Sequence, residues 1–326
     1  MMKSRLWAGV DIGGTKTAVV LSSAPPEILK RVEFCTEPER GPERAVQKII
    51  EGLRAMLSYR GEVISELSGI GVSCGGPLNR RTGIIECPPN LPTWVDVPIV
   101  SLLANEFGCP VRLENDANAG AVAEHRFGAG AGFHNVLFLT LGTGLGSGII
   151  LNDQLYSGTN DMAGEIGHVR LTRSGPIGYN KIGSAEGWAS GGGISQIAMK
   201  MVAASVKSGR GTVLSEAFAG GQISARDVGL AAQAGDAVAL SIIRKSGRKL
   251  GEALAVLVDI LNPECIVMGG LAVRLGELFM KPARESLQRE GLKQAVAVCR
   301  VVPAQLGERI GDVSALCIAM DAGTNK

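Results

Sequence analysis

Twice in 326 residues an apolar strand runs into a glycine-rich turn and leaves it as a second strand. The first copy is Leu6-Trp7-Ala8-Gly9-Val10, then Asp11-Ile12-Gly13-Gly14-Thr15-Lys16, then Thr17-Ala18-Val19-Val20-Leu21. The second enters at Val136, turns through Gly142-Thr143-Gly144-Leu145-Gly146-Ser147-Gly148 and leaves as Ile149-Ile150-Leu151. An internal repeat of this kind predicts two similar lobes facing one cleft. Glycines in the turns remove Cβ atoms and expose backbone N–H groups, which suits a bound phosphate. One such hairpin is an ordinary turn, but two, one from each lobe, could grip a nucleotide tail. An outgoing strand follows each turn. Neither is therefore the Gly-x4-Gly-Lys-Ser/Thr loop nor the dinucleotide Gly-x-Gly-x-x-Gly that opens a helix. Asp11, at the end of the first strand, could hold Mg2+ through water.

A second stretch concentrates polar groups at a strand-to-helix handover. Pro110-Val111-Arg112-Leu113 reads as a strand and Ala117 onward as a helix to about Phe127, with Glu114, Asn115, Asp116 and Asn118 around the junction. In open α/β sheets that handover is where ligands bind. Asn and Asp are also preferred helix caps, so the stretch alone supports both readings.

Other elements fall around these. Apolar periodicity predicts a helix over 41–59, with Val46, Ile49, Ile50, Leu53 and Met56 on one face. Residues 68–73 read as a strand ending in Cys74-Gly75-Gly76-Pro77. Pro88-Pro89-Asn90-Leu91-Pro92-Thr93-Trp94 is a rigid loop that either aims Asn90 at a ligand or packs on Trp94. A short helix is expected over 98–107. Glu165 and His168, within Gly164-Glu165-Ile166-Gly167-His168, share a face if helical and line a loop if not. The rest is mostly helical: a long helix over 236–261 stops at Asn262-Pro263. Strands are expected at 264–268, ending at Gly269-Gly270, and at 296–302. A final apolar helix spans 311–321.

Composition excludes several classes. The formal net charge is +2, too weak for a nucleic-acid partner or an anionic membrane surface. No segment reaches the roughly 18 apolar residues of a membrane span. Seven scattered cysteines form no Cys-x-x-Cys pair. With no secretory leader apparent, free thiols in a reducing cytoplasm are expected. Glycine is the outlier: 45 residues, about twice ordinary usage, concentrated in loops.

Asp11-Ile12-Gly13-Gly14-Thr15, Pro89-Asn90-Leu91 with Trp94, Glu114-Asn115-Asp116-Ala117-Asn118, Gly142-Thr143-Gly144 and Gly164-Glu165-Ile166-Gly167-His168 occur in that order. Together they resemble the ROK family (repressors, open reading frames, kinases), and within it the bacterial glucokinase-like hexose kinases. The resemblance runs from about residue 7 to the last helix. It implies an α/β actin-like, ribonuclease-H-like ATPase fold with two lobes around a central cleft. The expected small lobe is residues 1–117 plus 311–326, the large one 118–310, with the final helix crossing back onto the first lobe. It implies ATP and Mg2+ as cofactors and a sugar as substrate. Glucose phosphorylated at its 6-hydroxyl comes first; N-acetylmannosamine, fructose and allose are alternatives. A homodimer or homotetramer is also implied.

Carried over residue by residue, Asp116 is the base facing the sugar hydroxyl. Asn115, Glu165, His168 and Glu186 bond the ring hydroxyls, with Asn90 and Gly76 nearby. Asp11, Gly13, Gly14, Thr15, Lys16, Thr143 and Gly144 surround the phosphates and Mg2+, and Gly269 and Gly270 let the adenosine approach the backbone. At a helix N-terminus, Asp116 is expected to have a lowered pKa and to be ionised at neutral pH.

Two departures from the family pattern carry expectations. The family follows its Gly-His motif with a Cys-Gly-Cys-Gly-x-x-Gly-Cys run that builds a structural zinc site. The matching positions here are Ile177, Tyr179 and Ser184, so no structural zinc is expected. Apolar packing of Ile177, Tyr179 and Ile182 is expected to hold the loop instead. Family repressors carry a helix-turn-helix domain before the first hairpin. The roughly ten residues ahead of Asp11 are too few for one, so a catalytic protein is favoured over a DNA reader. The reading from another class is a sugar sensor without turnover.

Overall fold

The computed structural model describes residues 5–60 and 67–323. The chain divides into two compact units. One runs to Ala131 and takes in Ser157–Asp161 and the segment from Gln305; the other holds Gly132–Tyr156 and Met162–Ala304.

The first unit contains β1 (Leu6–Ile12), β2 (Lys16–Ser22), β3 (Lys30–Cys35), β4 (Leu67–Cys74), β5 (Leu78–Asn79), β6 (Ile84–Ile85) and β7 (Val111–Asn115). Five of these form a sheet of order β3-β2-β1-β4-β7. β1 pairs antiparallel with β2 and parallel with β4, and β4 pairs parallel with β7. The register sets Ile12 beside Cys74 and Cys74 beside Asn115, so the carboxyl ends of three parallel strands finish at one edge. The helix Pro42–Arg60 buries Val46, Ile49, Leu53 and Met56, the face its periodicity predicts.

In the second unit β8 (Val136–Leu141), β9 (Leu145–Leu151), β10 (Gln154–Leu155), β13 (Cys265–Met268) and β14 (Arg300–Pro303) form a sheet of order β10-β9-β8-β13-β14. β11 (Ile177–Gly178) and β12 (Lys181–Ile182) make a separate hairpin. The two five-stranded sheets have the same plan: an antiparallel hairpin first, its outer partner next, then two parallel strands on the other side. This confirms the internal repeat on the level of topology. The helix Ala237–Leu261 supplies Ile242, Ile243, Leu250, Leu254, Leu257 and Val258 to the core of this unit.

Two boundaries differ from expectation. The stretch 296–302 is a helical turn, Lys293–Val298, followed by β14 at Arg300–Pro303. Ala295 is buried in that turn, so tertiary burial overrides the strand propensity of its valines. The helix Asp116–Phe127 lies whole in the first unit, where it packs on the C-terminal helix Ile310–Ala322.

The C-terminal helix lies on β1 and β4 at a distance only glycines allow. A Cβ on Gly71 would overlap the Ala315 carbonyl, and one on Gly9 would come within 2.9 Å of the Ala315 Cβ. Backbone cannot give way cheaply, so Gly71→Val is expected to cost about 1–3 kcal/mol by overpacking. A lowered denaturation midpoint checks this; an unchanged midpoint contradicts it. All seven cysteines are free. No described helix is long and apolar enough to cross a membrane.

Candidate functional site

In the first unit the sheet edge gathers most of the expected residues. Asp11 stands opposite Ser73 in the β1–β4 register. Asn115 caps the helix Asp116–Phe127: its Oδ1 accepts the N–H groups of Ala117 at 3.0 Å and Asn118 at 3.4 Å. Asp116 Oδ1 accepts the Ala117 N–H at 2.8 Å. The cap reading of this stretch is borne out. Gly14 is pressed against Asn90, since a Cβ there would meet the Asn90 carbonyl oxygen at 2.7 Å. A Cβ on Gly75 would lie 3.6 Å from Asn90 Oδ1 and 4.0 Å from Asp116 Oδ2, and one on Gly76 3.5 Å from Asn115 Nδ2. Asn90, Asn115, Asp116 and the Gly75–Gly76 turn thus converge. The loop bearing Asn90 is anchored by Leu91 and Trp94, both fully buried, while Asn90 itself is exposed. Lys16 lines one pocket with Asp11 and Glu33, its Nζ 2.9 Å from Glu33 Oε1.

The electrostatics correct one expectation. Burial raises the Asp116 carboxyl above its ordinary range; the bond from the Ala117 N–H acts the other way and is outweighed. Asp116 keeps accessible surface, but protein crowds its carboxyl closely enough that lost solvation exceeds what the helix terminus returns. Asp11 is pushed up to about 7, by burial first and by the negative charge of Asp116 second, against a hydrogen bond from Ser73. Burial and the same two carboxylates hold the Cys74 thiol well above its usual value.

Between about pH 4 and pH 7 the folded protein holds a proton at Asp11 that the unfolded chain has lost. Stability therefore falls as pH rises through that window. In metal-free protein, Asp11→Asn is expected to exceed the wild type by about 2–4 kcal/mol at alkaline pH, with the gain vanishing at acid pH. Chemical denaturation across pH measures it; parallel curves for the two proteins contradict it.

In the second unit Thr143 and Gly144 form the β8–β9 turn, closed by the Gly142 N–H donating to the Gly144 carbonyl at 3.0 Å. Gly270 has φ +62, and a Cβ there would overlap the Leu141 carbonyl, so its backbone lies against the strand that feeds the turn. Gly269 is likewise close to Phe138. Glu186 lies in the helix Ala185–Ala189, and its Oε2 accepts the Leu145 N–H at 3.0 Å. Glu165 precedes a single 3-10 turn, Ile166–His168, and its carbonyl accepts the His168 N–H at 3.1 Å. Gly167 ties that turn to the hairpin, because a Cβ there would overlap the Leu145 carbonyl and lie 3.4 Å from Glu186 Cβ.

The loop that lacks the cysteines is not held by apolar packing. Ile177, Tyr179 and Ile182 are exposed. The loop is the β11–β12 hairpin, whose two turn residues, Tyr179 and Asn180, both have positive φ, the conformation that matches strand twist. Polar groups fix it: Gln196 accepts the Ile177 N–H at 2.9 Å and donates to its carbonyl at 2.8 Å. The fully buried Ser184 caps the next helix by accepting the Gly187 N–H. Trp188 donates its indole N–H to Thr172 Oγ1 at 2.8 Å. Tyr179 then meets the His168 ring edge-on, centroids 6.3 Å apart. Main-chain and buried polar groups outcompete side chains that the hairpin turns to solvent. No cluster of three or more His, Cys, Asp or Glu suited to a metal occurs among the described residues.

Sequence reasoning missed three residues. Gly311, in the first turn of the C-terminal helix, packs so closely on Asp11 that a Cβ would overlap the carboxylate. Gly191 and Gly192 open the helix Gly191–Lys207 and donate their N–H groups to the Gly142 carbonyl at 2.8 Å and the Thr143 carbonyl at 3.2 Å. The available signals were a glycine opening an apolar helix, and the triple glycine at 191–193.

Two units that each carry a hairpin-led sheet of the same order define the actin-like ATPase fold, and solved structures of that fold match the chain. The ROK hexokinase of Thermus thermophilus superposes with a TM-score of 0.80 at 30% identity, covering 97% of this chain and 98% of that one. A ROK family glucokinase from Streptomyces griseus in complex with glucose and AMPPNP does so with a TM-score of 0.77 at 32% identity, covering 97% and 99%. The glucokinase of Halalkalibacterium halodurans is 35% identical over 312 residues, 95% of this chain and 93% of that protein. The ROK family model matches residues 7–322, and the chain belongs to the ROK family.

Proposed function

We propose that this chain is a hexose kinase that transfers the γ-phosphoryl group of ATP to a sugar hydroxyl, with the 6-hydroxyl of glucose as the foremost acceptor. The observation that carries the reading is the convergence of Asp116, Asn115 and Asn90 on one sheet edge that also bears Asp11 and the Gly13–Gly14 turn. A single carboxylate beside two amides suits a polyol with one reacting hydroxyl. The glucokinase relatives, one of them bound to glucose and AMPPNP, support the choice of sugar and nucleotide.

Phosphoryl transfer proceeds through a loose transition state, so positioning and charge neutralisation dominate. Asp116 orients the attacking hydroxyl and takes its proton as the bond forms. Burial raises its pKa, which strengthens it as a base. Asn115 and Asn90 hold the ring. The Gly13 N–H is taken by the Lys16 carbonyl at 2.9 Å, which leaves the backbone N–H groups of Gly14 and Thr15 to suit phosphate oxygens in the first unit; in the second, those of Thr143 and Gly144 suit the same chemistry, and Gly269 and Gly270 leave the backbone open to a nucleoside.

Asp11 fits Mg2+: it is a crowded carboxylate, pushed up to about 7 by burial and by the negative charge of Asp116. A cation there supplies neutralisation of the phosphate charge and of the Asp11–Asp116 repulsion.

The test is ADP release from ATP and Mg2+ over glucose, mannose, fructose, allose and N-acetylmannosamine. The account expects release with at least one hexose and the highest kcat/KM with glucose. A best rate with N-acetylmannosamine reassigns the acceptor, and no release with any sugar overturns the kinase reading.

A further inference from the structure

Glu114 is fully buried, one residue before the Asn115–Asp116 pair. Its Oε1 accepts the Asn115 N–H and the Asn118 Nδ2, both at 3.0 Å. It therefore sets both the backbone entering the helix cap and a side chain of the helix's first turn. Its Oε2 lies 2.7 Å from Arg80 Nε, but off the line of a hydrogen bond, so the attraction is one of charge. A buried carboxylate needs such a partner, and losing it is costly. Burial raises the Glu114 carboxyl, and Arg80 is the largest influence drawing it back.

The same guanidinium has a second arm. Arg80 Nη1 donates to Asp161 Oδ1 at 3.0 Å. Asp161 ends Ser157–Asp161, the short segment that the first unit takes from a stretch of chain otherwise belonging to the second. It lies four residues before Glu165 and has φ +64, a left-handed conformation that Asp adopts more readily than most residues. Arg80 follows β5 in a turn whose Asn79 accepts the Thr82 and Gly83 N–H groups at 3.0 and 2.8 Å, and its side chain is only 15% exposed. One rigid, two-armed cation thus meets the carboxylate behind the Asn115–Asp116 cap and the carboxylate of the strap leading to Glu165. A lysine point charge satisfies one arm at a time.

We propose that Arg80 is a positioning residue for sugar binding, fixing with one guanidinium both the helix start that presents Asn115 and Asp116 and the Ser157–Asp161 strap of the same unit. The proposal rests on the hexose reading above and adds to it a residue that touches neither sugar nor nucleotide.

Calorimetric titration of the full-length protein with glucose, alongside ADP release, tests it. Arg80→Met and Asp161→Asn are each expected to weaken glucose binding about tenfold, while the KM for ATP stays within about twofold. The double variant is expected to bind no more weakly than Arg80→Met alone, since both changes cut the same link. Arg80→Lys restores part of the loss through Glu114. Glucose affinity unchanged in folded Arg80→Met or Asp161→Asn, or fully additive losses in the double variant, overturns the proposal. Should Arg80→Met not fold, the glucose affinities of Asp161→Asn and Arg80→Lys, which leave Glu114 paired, test the proposal in the same way. A wild type that binds glucose but releases no ADP refutes turnover alone, and the affinities still decide the role of Arg80. A wild type that binds no hexose overturns both readings.

Discussion

Asp116→Asn is expected to lower kcat by about 10²–10⁴-fold, the usual worth of a positioned base, while glucose affinity changes little. The two side chains have the same shape, and the amide oxygen can still accept the Ala117 N–H that Asp116 Oδ1 accepts at 2.8 Å. The helix start therefore survives, and with it Asn115, whose cap bonds do not involve Asp116. What is lost is the capacity to take a proton. The pH profile distinguishes this from a binding defect. Burial raises the Asp116 carboxyl, so wild-type kcat should rise with pH through that raised value, and the residual activity of the variant should be flat. Steady-state ADP release from about pH 5 to about pH 9 provides the comparison. A variant that keeps the wild-type kcat and its acid limb removes Asp116 from the mechanism.

Gly311→Ala should be nearly as damaging, although it adds one methyl group far along the sequence from any motif. That methyl would overlap the Asp11 carboxylate. Asp11 is engaged by Ser73 on its other side, and the helix Ile310–Ala322 cannot slide away without leaving the sheet surface it fits through Gly9 and Gly71. Either the carboxylate moves or the helix does. The expected result is a fall in kcat/KM for ATP of about 10–100-fold, with about 1–3 kcal/mol of stability lost by overpacking. Gly52→Ala is the control. It lies in the helix Pro42–Arg60 with nothing near the added methyl, and should be neutral or stabilising by up to about 1 kcal/mol. If Gly311→Ala matches that control in both readouts, Asp11 and the C-terminal helix are not coupled as described.

What the sequence made legible follows from how local each feature is. The two glycine hairpins, the four-residue strand at Cys265–Met268 and the 25-residue helix Ala237–Leu261 are set by local runs whose pattern needs no partner. The Asn115 cap was visible for the same reason. Gly311 was not, because its importance comes from a carboxylate three hundred positions earlier. Gly191 and Gly192 were missed too, because only the fold turns their N–H groups onto the Gly142 and Thr143 carbonyls. The pKa of Asp116 failed in an instructive way. The helix terminus acts in the expected direction, but desolvation is the sum of everything packed around the carboxyl, and no local window reports that sum. The Ile177–Ile182 hairpin misled because apolar residues suggest burial, whereas Gln196 and Ser184 hold the loop through its backbone.

The most direct test of the central claim is the fate of the sugar itself. Glucose incubated with the wild-type protein, ATP and Mg2+ should be recovered, by mass spectrometry and phosphorus NMR, carrying one phosphoryl group on the 6-hydroxyl, in an amount equal to the ADP formed. Glucose that binds to the protein in the presence of ATP and is recovered unchanged would contradict it, and would make the chain a sensor rather than an enzyme.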